Sequence, residues 1–153
     1  LHERAARPAF LLRFSDALRA CPDEPSITRH AVAAVAEHLR LDRCYVSEVF
    51  EAEGFSTVGP EHVRPGLAPM TGVFRLADYP ETMRQLATQP MVVGDAAHDP
   101  RFSAAERALL SGLHLRALLV TALRRGPQGV VWALAAATAT PRAWTDGERR
   151  LLE

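Results

Sequence analysis

The chain has 153 residues, of which 48% are hydrophobic and 24% charged, with 18 basic and 18 acidic side chains. This length suits one domain with a substantial hydrophobic core, and the composition is that of an ordinary globular protein. The even charge balance argues against a nucleic-acid-binding face, and no apolar run approaches the roughly 20 residues that a membrane-spanning helix needs.

The amino end has no signal-peptide pattern, so we predict a cytoplasmic protein. The chain begins without Met and stops at Glu153 within a helical pattern, so we expect residues 1–153 to be a single domain of a larger protein.

Two helices are predicted before the first strand. The first lies between Pro8 and Pro22, and its narrow apolar stripe is typical of a dimer contact or of a connecting helix. The stripe consists of Phe10, Phe14, Ala17, Leu18 and Cys21. A four-residue apolar repeat from Ile27 to Leu39 predicts a second, amphipathic helix that lies on a sheet.

Three strands follow. Arg43–Phe50 is predicted to place Cys44, Val46, Glu48 and Phe50 on one face and Tyr45, Ser47 and Val49 on the other. Gly54 marks a hairpin turn, and Phe55–Val58 is the returning strand. The prolines and glycines of Gly59–Gly72 predict a loop, and Gly72–Leu76 is predicted to be a short strand.

Two helices and a short strand come next. Asp78 is predicted to cap a helix over Pro80–Gln89, with a proline and an acidic residue in its first turn. Met91–Val93 is predicted to be a strand, and Gly94–Phe102 a loop. The pattern Ser103-Ala-Ala-Glu106 is a capping box, which begins a helix over Ser103–Leu113.

The most apolar part of the chain is a predicted hairpin of Ala117–Leu123 and Val130–Ala137, joined by a loop with Gly and Pro. Continuous apolar runs are typical of strands that are covered on both faces. The second strand ends in three alanines that are too small to fill a core, so a helix, a second chain or a ligand must fill that space.

A second capping box, Thr145-Asp-Gly-Glu148, begins the last helix. The order of elements predicts an α+β fold, with a central antiparallel sheet of about five or six strands and helices on both faces.

No catalytic set is evident. The six histidines lack metal-ligand spacing, Cys21 and Cys44 are interpreted as free buried thiols, and the absence of lysine excludes a Schiff base or a P-loop. Asp95 and Asp99 flank His98, which would allow an acid–base pair, but a solvated loop that enters a helix is the favoured interpretation.

Three places are more typical of binding than of catalysis. Glu48 lies on an otherwise apolar strand face, so it is either at a sheet edge or in a polar pocket. The turn Phe74–Pro80 leads to a helix amino terminus that would suit an anion, unless Asp78 itself caps it. Trp132 is expected to fill the core, unless a cavity beside it makes it a ligand contact.

Four segments together resemble a GAF domain, the small-molecule-sensing module of bacterial signalling proteins. Phe74-Arg75-Leu76-Ala77-Asp78-Tyr79-Pro80 resembles the phytochrome-type F-R-x-x-D-I-P motif. The others are Asp99–Ser103, Leu115–Val120 leading to Gly129–Leu134, and Thr140–Thr145. The resemblance covers about Pro8 to Glu153. It is especially to the GAF domains of sensor histidine kinases, which are related to those of phytochromes.

The resemblance implies a GAF-like (PAS/profilin-like) sheet with the terminal helices on one face and a ligand cavity on the other. Such terminal helices commonly pair in dimers and continue into the next module. Bilin-binding members carry a Cys-His pair where alignment on Pro141-Arg142 places Ala136 and Ala137, so we expect no covalent chromophore. The cysteine pattern of the free methionine sulfoxide reductases is not evident, which argues against an enzyme.

We therefore expect a non-catalytic sensory domain of a signalling protein, most simply a sensor histidine kinase. A non-covalent, mostly apolar ligand with one polar group would bind between the sheet and the helices Pro80–Gln89 and Ser103–Leu113, and a homodimer and neighbouring signalling domains would be the partners. No metal, nucleic acid or membrane is expected. The predicted lining residues are Val46, Glu48, Phe74, Leu76, Asp78, Tyr79, Met83, Leu110, His114 and Trp132. The alternative is a ligand-free structural dimerisation module.

Overall fold

The computed structural model describes residues 25–70 and 72–152. The helix predicted between Pro8 and Pro22 and the thiol of Cys21 lie outside the described residues. The described chain contains four α-helices, which are α1 (Pro25–Leu39), α2 (Pro80–Leu86), α3 (Ala104–Gly112) and α4 (Asp146–Leu152).

One sheet runs through the described part of the molecule. Its strands are β1 (Arg43–Phe50), β2 (Phe55–Val63), β3 (Gly72–Arg75), β4 (Met91–Val93), β5 (Ala117–Arg124) and β6 (Val130–Thr138). Their order across the sheet is β3-β2-β1-β6-β5-β4, and every neighbouring pair is antiparallel. This confirms the predicted α+β fold and its antiparallel sheet.

A hydrophobic core lies on each face of the sheet. On one face, which we name the helix face, α1 and α4 contribute Val32, Leu39 and Leu152. On the other, which we name the cavity face, α2 and α3 contribute Leu86 and Leu110. Helices thus cover both faces, as predicted.

The β5–β6 hairpin is buried on both faces, which confirms the interpretation of its two apolar runs. Leu118 and Val120 belong to the core of the cavity face, whereas Leu119 belongs to that of the helix face. The partner strand alternates in the same way, with Leu134 on the helix face and Ala135 on the cavity face.

Strand β2 is longer than predicted, because Gly59–Val63 is part of the strand and not of the loop. The first residues of β1 need partners, and β2 supplies them through the pairs Arg43–Val63 and Tyr45–Glu61. A register shift between Tyr45 and Ser47 accommodates the glycine and proline that suggested a loop.

The two capping boxes differ. At α4 the box is reciprocal, since Glu148 N donates to Thr145 Oγ1 (3.1 Å) and Thr145 N donates to Glu148 Oε1 (3.0 Å). At α3 only half of it forms, because Glu106 N donates to Ser103 Oγ (3.1 Å) while the Glu106 carboxylate turns away towards α2. None of the helices in residues 25–70 and 72–152 is long and apolar enough to cross a membrane.

Candidate ligand cavity

A cavity of about 100 Å³ lies between the cavity face of the sheet and the helices α2 and α3. It is partly open to solvent, and its lining is almost entirely apolar. The lining residues are Tyr45, Ser47, Val49, Ser56, Val58, Met70, Phe74, Leu76, Tyr79, Thr82, Met83, Leu86, Met91, Leu110, Leu113, Leu115, Leu118, Val120, Ala133 and Ala135.

The floor of the cavity is formed where β6 carries its small side chains. Ala133 pairs with Ser47 on β1, and Ala135 pairs with Tyr45 on β1 and with Val120 on β5. Because a methyl group extends only a short distance from the sheet, the overlying helices do not close on these positions. The sequence predicted that Ala135, Ala136 and Ala137 leave space for something else to fill. Of these only Ala135 lines the cavity, together with Ala133, whereas Ala136 is packed in the core of the helix face.

Glu106 holds the two helical walls of the cavity together. Its side chain comes from α3 and is buried (1% exposed). Oε1 accepts a hydrogen bond from Glu81 N (3.0 Å), and Oε2 accepts from Thr82 N (3.1 Å) and Thr82 Oγ1 (2.7 Å). A carboxylate from elsewhere in the fold therefore satisfies the amino end of α2.

This arrangement corrects two expectations. Asp78 does not cap α2, because the residue at the cap position is Tyr79 and Asp78 lies in a preceding 3₁₀ turn, Leu76–Asp78. The amino terminus of α2 is also not free for an exogenous anion, since Glu106 already occupies it.

A buried ion pair fixes the wall next to β2. Arg43 (2% exposed) donates from Nη1 to Glu61 Oε2 (2.6 Å) and to Ala68 O (3.0 Å). Glu61 Oε1 in turn accepts from Met70 N (2.8 Å), which positions Met70 in the cavity lining. The pair thus connects the sheet to the loop after β2.

Five side chains of the lining carry a hydroxyl group, namely Tyr45, Tyr79, Ser47, Ser56 and Thr82, and the hydroxyl of Thr82 already donates to Glu106. Burial raises the pKa of Tyr45 far above its usual range, and burial together with the charge of Asp78 raises the pKa of Tyr79. Both phenols are therefore protonated at neutral pH and able to donate a hydrogen bond.

Five of the ten predicted lining residues meet at the cavity. Phe74, Leu76 and Tyr79 come from β3 and the turn before α2, and the rings of Phe74 and Tyr79 pack edge to face at 6.3 Å. Met83 lies on α2 and Leu110 on α3.

The other five do not line the cavity. Val46 and Trp132 belong to the core of the helix face, on the far side of the sheet. Glu48 is exposed on β1, a central strand, which excludes the sheet-edge interpretation, and it lines a separate surface groove between two hairpins. Asp78 is half-buried in its turn, and His114 is exposed after α3.

The choice of strand face explains the misplacement of Val46, Glu48 and Trp132. The alternation of β1 was predicted correctly. Val46 and Glu48 were predicted to face the ligand, but the cavity lies on the opposite face of the strand, with Tyr45, Ser47 and Val49. Pairing the two strands of the central hairpin would have shown that Ala133 and Ala135 share a face with Val120. The methionines are a further signal in the sequence, since all three methionines of the chain line the cavity.

The loop around His98 is a polar cluster without catalytic geometry. Asp95 forms hydrogen bonds with Arg116 and with His98 Nδ1 (2.9 Å), and His98 is exposed. Hydrogen bonds from Arg116, which has the larger effect, and from His98 lower the pKa of Asp95 well below its usual range. The carboxylate is therefore already bound to these two side chains. In residues 25–70 and 72–152 no cluster of three or more His, Cys, Asp or Glu side chains could hold a metal ion.

Comparisons with known proteins agree with this architecture. A solved structure of a far-red absorbing dark state with bound biliverdin IXa is 19% identical to this chain, with 93% of this chain and 90% of that chain covered and a TM-score of 0.74. A phycoerythrobilin-bound GAF domain from a cyanobacterial phytochrome is 17% identical, with coverages of 94% and 87% and a TM-score of 0.73. The PixJ GAF domain of Thermosynechococcus elongatus is 23% identical, with coverages of 86% and 79% and a TM-score of 0.68. No curated protein sequence matches the chain. The sequence profile of the GAF domain matches residues 23–153. The chain therefore belongs to the GAF domain family and has the fold seen in phytochrome GAF domains.

Proposed function

We propose that this GAF domain is a non-catalytic sensor that binds a small molecule in the cavity between the sheet and α2 and α3. The observation that carries the proposal is the cavity itself, which is apolar, partly open and floored by two alanines. A concave apolar site with a few polar groups is the usual form of a small-molecule site.

The cavity supports a non-covalent ligand much smaller than a bilin. Two of the compared structures hold bilins, namely biliverdin and phycoerythrobilin. Pockets that hold drug-sized ligands measure about 300–1,000 Å³. The cavity here measures about 100 Å³. Of the residues described, Cys44 is the only free cysteine, and it is buried in the core of the helix face, where burial raises the pKa of its thiol. It is therefore not placed to bond a ligand in the cavity.

We also propose that the domain reports its occupancy through its terminal helices to neighbouring domains of a larger signalling protein, such as a sensor histidine kinase, and that it acts as a homodimer through these helices. Two contacts support this relay. Trp144 Nε1, just before α4, donates to Val93 O of β4 (2.9 Å), and Arg142 Nη1 donates to Leu39 O at the end of α1 (2.8 Å). Strand β4 also supplies Met91 to the cavity.

Benzene binding, measured by thermal shift and calorimetry, tests the proposal. We expect benzene to stabilise the wild-type domain, and we expect Ala135→Leu to abolish this effect, because its larger side chain fills the floor. Ala105→Leu, at an exposed position of α3, is the matched control and should keep benzene binding.

The proposal is wrong if neither benzene nor phenol, a ring of nearly the same size, binds the wild-type domain, or if benzene binds the A135L variant equally well. The first result would favour the alternative function, a ligand-free dimerisation module, and the oligomeric state of the same sample by light scattering would then be the next measurement.

A further inference from the structure

We infer that the ligand of this cavity is an uncharged, single-ring aromatic molecule with one hydroxyl group, and that Ser47 and Ser56 recognise the hydroxyl. The inference rests on the proposed sensory function, because it names the class of ligand for the same cavity.

Size limits the ligand to about one ring. An engineered apolar cavity of about 150 Å³ in another protein binds benzene. The cavity described here is somewhat smaller, at about 100 Å³, but it is partly open, so a ring does not have to be fully enclosed. Two fused or linked rings would require the walls to move apart.

Charge limits the ligand to a neutral molecule. None of the side chains that line the cavity carries a formal charge. The charged groups that hold the cavity walls in place are already paired, since Arg43 binds Glu61 and the Glu106 carboxylate accepts three hydrogen bonds at the start of α2. A carboxylate or ammonium group on the ligand would lose its hydration without gaining a counter-charge.

The walls favour an aromatic ring over an aliphatic one. Met70, Met83 and Met91 are the only methionines of the 153-residue chain, and they come from the loop after β2, from α2 and from β4. Thioethers make favourable contacts with aromatic rings, and the unbranched methionine side chain adapts its shape to a ligand. Three of them around one small cavity provide such contacts from separate walls.

The serines supply the polar contact. Ser47 pairs with Val58 and Ser56 pairs with Val49, so the two serines are diagonal neighbours on β1 and β2, and both line the cavity. Within the described chain neither hydroxyl makes a hydrogen bond, although Ser56 is only 8% exposed. Diagonal neighbours lie about 7–8 Å apart at the backbone, and O–H···O bonds measure about 2.7–2.8 Å. Two such bonds to one ligand hydroxyl span about 5.5 Å. Because the side chains of diagonal neighbours approach more closely than their backbones, one hydroxyl between the serines is placed to bind both.

Isothermal titration of the 153-residue domain with benzene, phenol, cyclohexanol and benzoate tests the inference. We expect phenol to bind about fivefold or more tightly than benzene, which corresponds to one net hydrogen bond. Cyclohexanol should bind more weakly than phenol, and benzoate at least about 100-fold more weakly.

Variants identify the recognising residues. In the double variant Ser47→Ala and Ser56→Ala, the advantage of phenol over benzene should disappear while benzene affinity is retained. Ser111→Ala, at an exposed position of α3, is the matched control and should leave both affinities unchanged.

The outcomes separate this inference from the proposed function. If benzene binds but phenol has no advantage, if benzoate binds as tightly as phenol, or if the double variant keeps the phenol preference, the inference is wrong and the proposed function stands. If none of the four compounds binds, both are wrong.

Discussion

Replacing Glu106 with Gln tests whether one buried carboxylate holds α2 against α3. The substitution keeps the shape of the side chain but removes its charge and turns one acceptor oxygen into a donor. In the wild type the two oxygens accept three hydrogen bonds, two of them from backbone N–H groups. The E106Q variant therefore leaves at least one buried N–H without an acceptor.

The expected cost follows from these bonds. A buried donor without a partner costs about 1–3 kcal/mol, and the remaining bonds weaken because charge-assisted hydrogen bonds are roughly twice as strong as neutral ones. We expect the free energy of unfolding to fall by about 2–4 kcal/mol, a large part of the 5–15 kcal/mol typical of a domain.

Urea unfolding followed by tryptophan fluorescence measures this loss, and amide hydrogen exchange localises it. Exchange at Glu81 and Thr82 should accelerate more than exchange in β6, because the lost contacts lie at the start of α2. Glu37→Gln, an exposed position on α1, provides the same chemical change without buried bonds. A loss below about 0.5 kcal/mol for E106Q, no greater than that of E37Q, would refute the reasoning.

Three further predictions concern contacts around the core. Arg43→Met leaves the Glu61 carboxylate buried and unpaired, so it should cost about 3–5 kcal/mol in urea unfolding, whereas adding Glu61→Met should restore most of the loss; equal losses in both variants would contradict this. The pKa of Asp95 is lowered, so its ion pair stabilises the fold at neutral pH. The loss of melting temperature in Asp95→Asn should therefore shrink as the pH falls from 7 through the usual carboxyl range towards the lowered pKa. A difference in melting temperature between variant and wild type that is independent of pH would contradict this prediction. Trp144→Phe removes a hydrogen bond to β4 and should cost about 1 kcal/mol and speed amide exchange in α4, while unchanged exchange there would show that the contact does not hold the helix.

Local patterns were sufficient for most of the fold. The β5–β6 hairpin follows from two apolar runs and a turn, and the start of α4 follows from Thr145 and Glu148, which are three residues apart and do cap each other. Such features depend on neighbours in sequence, so a single chain reveals them.

The features that were missed depend on residues distant in sequence. Asp78 was the obvious local cap for α2, but Glu106, 25 residues after Glu81, supplies the acceptor. Gly59 and Pro60 are typical of a loop, but they belong to β2 because the first residues of β1 require partners. Tertiary contacts override local preference at both places.

The lining of the cavity was half predictable for a related reason. The turn Phe74–Tyr79 was identified by its resemblance to a known motif, and Phe74, Leu76 and Tyr79 do line the cavity, whereas Asp78 does not. The sheet residues were not, because a central strand is apolar on both faces and alternation alone does not show which face is hollow. The register that pairs Ala135 on β6 with Tyr45 on β1 and with Val120 on β5 shows which residues share the cavity face.

Strand β6 separates two structural requirements along a single backbone. Trp132 and Leu134 maintain the packing beneath α1 and α4, while Ala133 and Ala135 determine the volume of the cavity on the opposite face of the sheet. An alanine-to-valine exchange at either of the latter positions would shrink the room for a ligand and leave the tryptophan and leucine contacts untouched. The volume of the cavity can thereby change in single-residue steps while the packing on the helix face stays as it is.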